Sequence, residues 1–181
     1  MNLSHHTLKS YDNQLQRLLS LILDMGGEVK SLVLAAKQSF RERDESRVVN
    51  AKTADKHINE LDLQIEEEAT VVLALQNPMA IDLRFVISII KITGMLEHAG
   101  DLAKNTVKRS VRMGDFAPEE VIVKLELMAD IIVEMLDAAL ESFEKKDPDS
   151  AIAVWKRDEE IDELYHDIFS LMQKEMEVSP Q

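Results

Sequence analysis

One segment of this 181-residue chain occurs twice. Residues 39–65 align without a gap with residues 142–168, so that SFRERD (39–44) matches SFEKKD (142–147) and DKHINEL (55–61) matches DEEIDEL (158–164). Extending the alignment back to Ala35 gives ten identities in thirty-one positions at an offset of 103 residues, where typical residue frequencies give roughly two. A repeat of this size is typical of duplicated supersecondary units. We therefore expect two related structural units.

Apolar residues recur at helical spacing along almost the whole chain, which predicts five long helices at about 8–40, 46–75, 79–112, 118–145 and 150–178. The sequence holds 5 Gly and 4 Pro, and only 4% of its residues are aromatic, a composition that favours long helices over sheet. Apolar seams with a period near 3.5 favour shallow crossing angles. The expected fold class is therefore all-α, an antiparallel helical bundle.

The segment MGDFAP (113–118) is the strongest break in the pattern and divides a first unit, residues 8–114, from a second, residues 117–178. The first unit includes a third helix with Glu97 and Asp101, whose counterparts 103 residues later would lie beyond Gln181. We expect two tandem three-helix repeats, the second of them incomplete. The fifth helix would then present an apolar groove, filled by another chain or by a further part of a longer protein; its expected lining is Val154, Ile161, Leu164, Ile168 and Leu171.

The formal net charge of −13 argues against nonspecific binding to nucleic acid or anionic membranes, because both require dense positive charge. No segment approaches the ~20 apolar residues of a membrane span, and the polar N-terminus lacks the apolar core of a signal peptide. With no cysteine, the chain has neither disulfides nor thiolate metal ligands. We expect a cytoplasmic protein without membrane insertion.

Carboxylates interrupt the apolar seams of two helices. Glu97 and Asp101 are four residues apart on the third helix, so both side chains project from one face. The second helix carries further oxygen ligands, and the repeat places two more on the fifth helix; these candidates are Asp55, Asn59, Asp62, Asp158 and Asp162. Oxygen ligands facing a shared groove in a bundle favour a hard divalent or ferric metal ion.

Two other interpretations of these carboxylates remain open. Acidic residues at helical spacing often form a solvated face. Alternatively, Lys104, Arg109 or Arg84 could pair with them, and no metal would then be needed.

The stretch NPMAIDLRFVISIIKITGMLEHAGDLAKN (77–105) resembles the most recognisable part of PhoU proteins, which are accessory regulators of phosphate transport. The matching features are a proline at Pro78, an Asp-Leu-Arg at 82–84, and an E-x-x-x-D motif at Glu97 and Asp101. The D-x-x-x-D motif of the preceding helix falls at Asp55, and at Asp158 and Asp162 in the second unit. The resemblance covers essentially the whole chain.

This resemblance implies a homodimeric, cytosolic negative regulator with metal sites of iron, zinc, manganese or magnesium. Its implied partners are the ATPase of the phosphate ABC transporter and the phosphate-sensing histidine kinase. When phosphate is plentiful, such a protein would restrain phosphate uptake and keep starvation genes off.

Two residues depart from the family pattern: Asn59 stands where an aspartate would complete the first D-x-x-x-D, and His98 replaces the usual arginine after Glu97. Two other functions are open, an enzyme with a carboxylate-bound metal and a metal-free helical scaffold. The enzyme is disfavoured because ferritin-like sites need a Glu-x-x-His on each of two helices, and this sequence has one, at Glu163 and His166. We expect no catalytic residues.

Overall fold

The computed structural model describes residues 3–76, 78–113 and 117–178, with side chains from residue 11 onward, and all regular structure in these ranges is α-helix. The helices are α1 (Leu3–Ser39), α2 (Glu45–Gln76), α3 (Ile81–Met113), α4 (Glu119–Lys145), α5 (Pro148–Lys156) and α6 (Asp158–Val178). The predicted all-α fold is confirmed. None of the described helices has an apolar stretch long enough to cross a membrane.

The predicted fifth helix is divided at one residue, Arg157. Its backbone stays in the right-handed helical region (φ −74°, ψ −6°), but its amide donates to the carbonyl of Val154 at 3.0 Å, which is the tighter turn of a 3₁₀ helix. The Arg157 guanidinium bonds Glu134 on α4 at 3.0 Å and Glu160 on α6 at 3.0 Å. The interruption therefore lies where this side chain ties the two helical segments to α4.

The third helix begins later than the sequence predicts. The predicted range, 79–112, includes Met79, but Met79 is not helical and α3 begins at Ile81. Ala80, directly before it, has φ 45°, a left-handed conformation that a right-handed helix cannot include. Asn77, whose residue type favours an N-cap, lies outside the described residues.

Helices α1, α2 and α3 pack on one another around a single apolar core. The ion pairs between these helices show the directions in which they run. Arg17 on α1 bonds Glu68 on α2, and Asp55 on α2 bonds Lys104 on α3, so each helix runs antiparallel to the one before it. The fully buried side chains of this core include Leu18, Ile22, Met25, Val29, Ile58, Ile65, Val72, Val86, Ile89 and Val107.

Helix α4 packs antiparallel along α1. Lys30 and Lys37 on α1 reach Asp137 and Asp130 on α4 at 2.8 and 2.6 Å. The close approach of these helices depends on Gly26, because a Cβ there would lie 2.2 Å from Cδ1 of Leu140. Helix α1 itself continues through Gly26 and Gly27. Among the described helices, α5 and α6 pack on α4 and on each other.

The sequence repeat is also present in the local geometry. Ser39 donates its hydroxyl to the carbonyl of Ala36 at 2.6 Å, and Ser142 donates to Ala139 at 2.8 Å, at positions that match under the offset of 103. Asp44 caps α2 by accepting from the amide of Ser46 at 2.9 Å. Its counterpart Asp147 caps α5 by accepting from the amides of Asp149 and Ser150 at 3.1 and 3.2 Å.

Candidate functional site

The centre of the candidate site is an ion pair that joins α2 to α3. The Lys104 ammonium lies 2.9 Å from Oδ2 of Asp55 and 2.5 Å from Oδ1 of Asp101. Asn105 donates to the other oxygen of Asp101 at 2.9 Å. The Asp55 side chain is only 13% exposed, so its charge is partly removed from water. An unpaired carboxylate in that position would be unfavourable, and Lys104 neutralises it.

The electrostatics of Lys104 and Asp101 reflect this pairing. The hydrogen bond from Lys104 lowers the pKa of Asp101 below its usual value, with smaller contributions from His98 and Asn105. The same hydrogen bond, assisted by Asp55, raises the pKa of Lys104. Both shifts favour the charged forms, so the group is an ammonium between two carboxylates at neutral pH.

Gly100 allows α3 to approach α2 closely enough for this pair to form. A Cβ at Gly100 would lie 2.9 Å from Cδ1 of Ile58 and 3.7 Å from Cγ2 of Val29. Both of these side chains are fully buried. Gly100 therefore lies at a close contact between α3 and the core, one residue before Asp101.

The other carboxylates of this face form a separate group, and no ion pair to them is formed by the residues that the structure describes. Asp62 on α2 is half-buried and lies near Glu66 on its own helix and Glu97 on α3. Burial is the largest cause of the raised pKa of Asp62, and repulsion from Glu66 and Glu97 adds to it. The two acidic residues of the E-x-x-x-D motif thus have different surroundings. Asp101 is paired with Lys104, and Glu97 lies near the carboxylate of Asp62.

Replacing Asp62 with asparagine is expected to stabilise the fold at neutral pH by about 0.5 kcal/mol, because it removes a partly buried charge and its repulsion from two neighbouring carboxylates. The folded protein raises the pKa of Asp62, so ionisation reduces stability as pH rises through that pKa. The gain from Asp62→Asn should therefore disappear in acid, where Asp62 is already neutral. Urea unfolding at several pH values measures this, with the exposed Glu67→Gln as the matched control. An equal gain from both variants would contradict the assignment.

The remaining predicted ligands do not converge on this site. Asn59 is exposed on α2, and Asp158 and Asp162 are exposed on α6. Asp158 is the counterpart of Asp55 under the repeat, but no lysine faces it among the described residues. The structure thus brings together Asp55 with Asp101, and Asp62 with Glu97, and leaves the other three apart.

The described side chains fit an ion pair better than a metal centre. The Lys104 ammonium contacts both Asp55 and Asp101, two of the carboxylates that would hold a metal ion. In the described part of the chain, no three His, Asp or Glu side chains are grouped so that they could hold one ion. Of the interpretations open from the sequence, pairing with Lys104 is the one that these contacts match, and metal binding stays a prediction.

Asn105 contacts the candidate site but was not included in the sequence interpretation. Asn105 follows Asp101 by four residues and Lys104 follows Asp101 by three, so both lie on the helical face of Asp101. That spacing was the available signal. It shows that the residues share a face, but not which of them turns toward the carboxylate.

Comparisons with known proteins agree with the fold and with the sequence resemblance. The PhoU domain family model matches residues 22–110 and 125–181. The phosphate-specific transport system accessory protein PhoU homolog of Caulobacter vibrioides is 34% identical over 92% of this chain and 73% of its own length. The corresponding Escherichia coli protein is 27% identical over 93% of this chain and 70% of its own. The crystal structure of PhoU from Pseudomonas aeruginosa superposes with a TM-score of 0.87 at 27% identity, covering 94% of this chain and 82% of that one. The chain belongs to the PhoU family.

Proposed function

We propose that this protein is an accessory regulator of a phosphate transport system and acts by binding other proteins, without turnover of a substrate. The observation that supports this most strongly is the 34% identity, over 92% of the chain, to a phosphate-specific transport system accessory protein homolog. The surface is compatible with such a role. Long helices present rows of charged residues, some of which form ion pairs between α1 and α4.

The finer part of the proposal concerns partners and place of action. We propose that the protein works in the cytoplasm with the transporter ATPase and the phosphate-sensing histidine kinase, and restrains uptake and starvation genes when phosphate is plentiful. This follows from family membership, and the net charge of −13 suits a basic partner surface. The homodimer implied by the resemblance stays a prediction that light scattering would check.

The test is complementation of a bacterium that lacks its own PhoU protein. Expressed in phosphate-rich medium, this chain is expected to lower a phosphate-starvation reporter severalfold and to slow phosphate uptake. The empty vector is the control. Circular dichroism of the purified chain and immunoblotting of the cells establish that it is folded and present. A folded, expressed chain that leaves both the reporter and the uptake rate unchanged would contradict the proposal.

A second candidate, a metal-free scaffold, is favoured by one specific observation. Lys104 supplies a positive charge to Asp55 and Asp101 from within the chain, at 2.9 and 2.5 Å. A protein of this kind would bind its partners through a surface whose shape does not depend on a metal ion. This candidate is compatible with a regulatory role, because binding by a rigid helical bundle requires no cofactor.

A further inference from the structure

The exposed surface of α3 differs in charge from the chain as a whole. The net charge of the chain is −13, but α3 carries six Lys and Arg against three Asp and Glu. Those three acidic residues, Asp82, Glu97 and Asp101, are all half-buried, so no carboxylate is among the exposed residues of this helix. The residues that α3 does expose are basic or apolar. This surface of the first unit therefore combines positive charge with apolar side chains.

Six of these exposed residues lie on one stripe, which we call the outer face of α3. Two series with intervals of seven residues make up this face: Arg84, Lys91 and His98, and Met95, Leu102 and Arg109. Residues seven apart lie about 20° apart around an α-helix, so the six positions fall within roughly 60°. The buried residues of α3 lie on the opposite side of the helix, where it packs on α1 and α2. The outer face is therefore turned away from the core of the first unit.

Three cations of the outer face have no partner within the described part of the chain. The side chains of Arg84, Lys91 and Arg109 form neither an ion pair nor a hydrogen bond with any described residue. The cations that α1 presents to α4 differ from them, because Lys30 and Lys37 each bond an aspartate. A row of unpaired cations on an acidic protein is available to the negative groups of another molecule.

Two large apolar side chains lie between these cations. Met95 and Leu102 are 70% and 54% exposed, and both belong to the outer face. A single apolar residue on a surface is ordinary, but two that are seven residues apart form the start of a seam on which a second helix can pack. Burying both side chains would supply the apolar part of the binding free energy.

Charge identifies the kind of helix that fits this seam. A second copy of this chain, related by a two-fold axis, would place one outer face on another and so bring cations against cations. An acidic helix would instead bring carboxylates to Arg84, Lys91 and Arg109, which extend over about 38 Å of α3. A helical partner suits the intervals of seven residues, because two helices that pack along their lengths meet in a repeat of that period.

We propose that the outer face of α3 binds an acidic amphipathic helix of another protein, packed lengthwise along α3. Aliphatic side chains of that helix contact Met95 and Leu102. Aspartates or glutamates beside the aliphatic stripe pair with Arg84, Lys91 and Arg109. This inference does not depend on a role in phosphate transport.

The experiment adds a synthetic peptide to protein that is isotope-labelled at its methionine methyl groups. The peptide consists of about four heptads with leucine at positions a and d and glutamate at positions e and g. The NMR signal of Met95, identified as the one missing from Met95→Leu, is expected to shift saturably as the peptide is added. Met176 on α6 is 62% exposed and serves as the internal control, whose signal should not move. A peptide of the same composition in scrambled order, which keeps the charge and loses the apolar stripe, should leave the Met95 signal in place.

Charge reversals locate the contact. The double variant Lys91→Glu/Arg109→Glu is expected to weaken peptide binding at least about tenfold. Lys174→Glu is the matched control, since it reverses an exposed charge on α6, and it should weaken binding less than about twofold. Neither Lys91 nor Arg109 pairs with a described residue, so the fold should be retained, and circular dichroism of each variant establishes this.

Four results would overturn the proposal. In the first, the peptide does not move the Met95 signal. In the second, the scrambled peptide moves it as much, or Lys174→Glu weakens binding as much as the double variant, which would indicate nonspecific charge attraction. In the third, the Met95 signal changes on dilution without peptide, so that a second copy of the chain is the occupant. In the fourth, vesicles of phosphatidylglycerol move the Met95 signal and the peptide does not, so that the face binds an anionic lipid surface.

Discussion

Substituting Gly100 with valine is expected to lower the free energy of unfolding by about 2–3 kcal/mol, because overpacking a tight core contact forces the helices apart. Even the first added carbon would lie 2.9 Å from Cδ1 of Ile58, which is fully buried and has little space to move. The displaced α3 would also carry Lys104 away from Asp55. Urea unfolding followed by circular dichroism measures the change.

A glycine six residues earlier on the same helix provides the control. Gly94 is exposed, and a Cβ there would meet nothing within 4 Å. Gly94→Val should be neutral or stabilise by up to about 0.5 kcal/mol, since valine is a better helix former than glycine. Ile58→Val removes the carbon that Gly100→Val contacts, so the double variant should be more stable than the sum of the two single changes predicts. Equal effects at Gly94 and Gly100 would contradict the close contact.

The duplication and most of the helix positions were accessible from the sequence, because they depend on local patterns. The predicted second helix, 46–75, agrees with α2 to within one residue at each end. The predicted beginning of α3 was wrong, because no local sequence pattern indicates the left-handed conformation of Ala80. The division of the fifth helix at Arg157 depends on its contact with Glu134 of α4, which is tertiary information.

The candidate site shows a different limit. Periodicity predicted that Asp55 on α2 and Asp101 on α3 project toward a shared groove, and Lys104 contacts both of them, but the pattern could not decide between a metal ion and a lysine as their counterion. That choice depends on where the Lys104 ammonium lies, which requires the close approach of α3 to the core at Gly100.

Replacing Lys104 with methionine is expected to lower the free energy of unfolding by about 1–2 kcal/mol at pH 7. Methionine keeps most of the apolar stem and removes the ammonium, so Asp55, half-buried at 13% exposure, is left without a counterion. Asp101 keeps its bond from Asn105. The control is Lys108→Met, one turn further along α3, where the change should be below about 0.5 kcal/mol.

The pH dependence separates this electrostatic effect from a packing effect. Lys104 lowers the pKa of Asp101 below its ordinary 3.8, so their pairing contributes fully above that pH and is lost as pH falls through the lowered value. Asp101 raises the pKa of Lys104 above 10.5, so the contribution is full below that pH and is lost as pH rises through the raised value. The stability difference between wild type and Lys104→Met should therefore be constant near neutrality and shrink in acid. A difference that is unchanged at pH 2–3 would indicate lost packing instead.

The same variant tests whether Lys104 or a metal ion is the resident cation. If it is Lys104, the wild type should purify with little metal, and adding manganese or zinc should stabilise it less than it stabilises Lys104→Met, whose carboxylates are free. If it is a metal ion, the wild type should carry it stoichiometrically and lose it in the Glu97→Ala/Asp101→Ala double variant. The two cases also differ in how the double variant changes the free energy of unfolding when no metal is added. Repulsion between Glu97 and Asp62 is relieved in both, but only a metal-loaded wild type would lose the binding free energy of the ion, which exceeds that of one partly exposed ion pair.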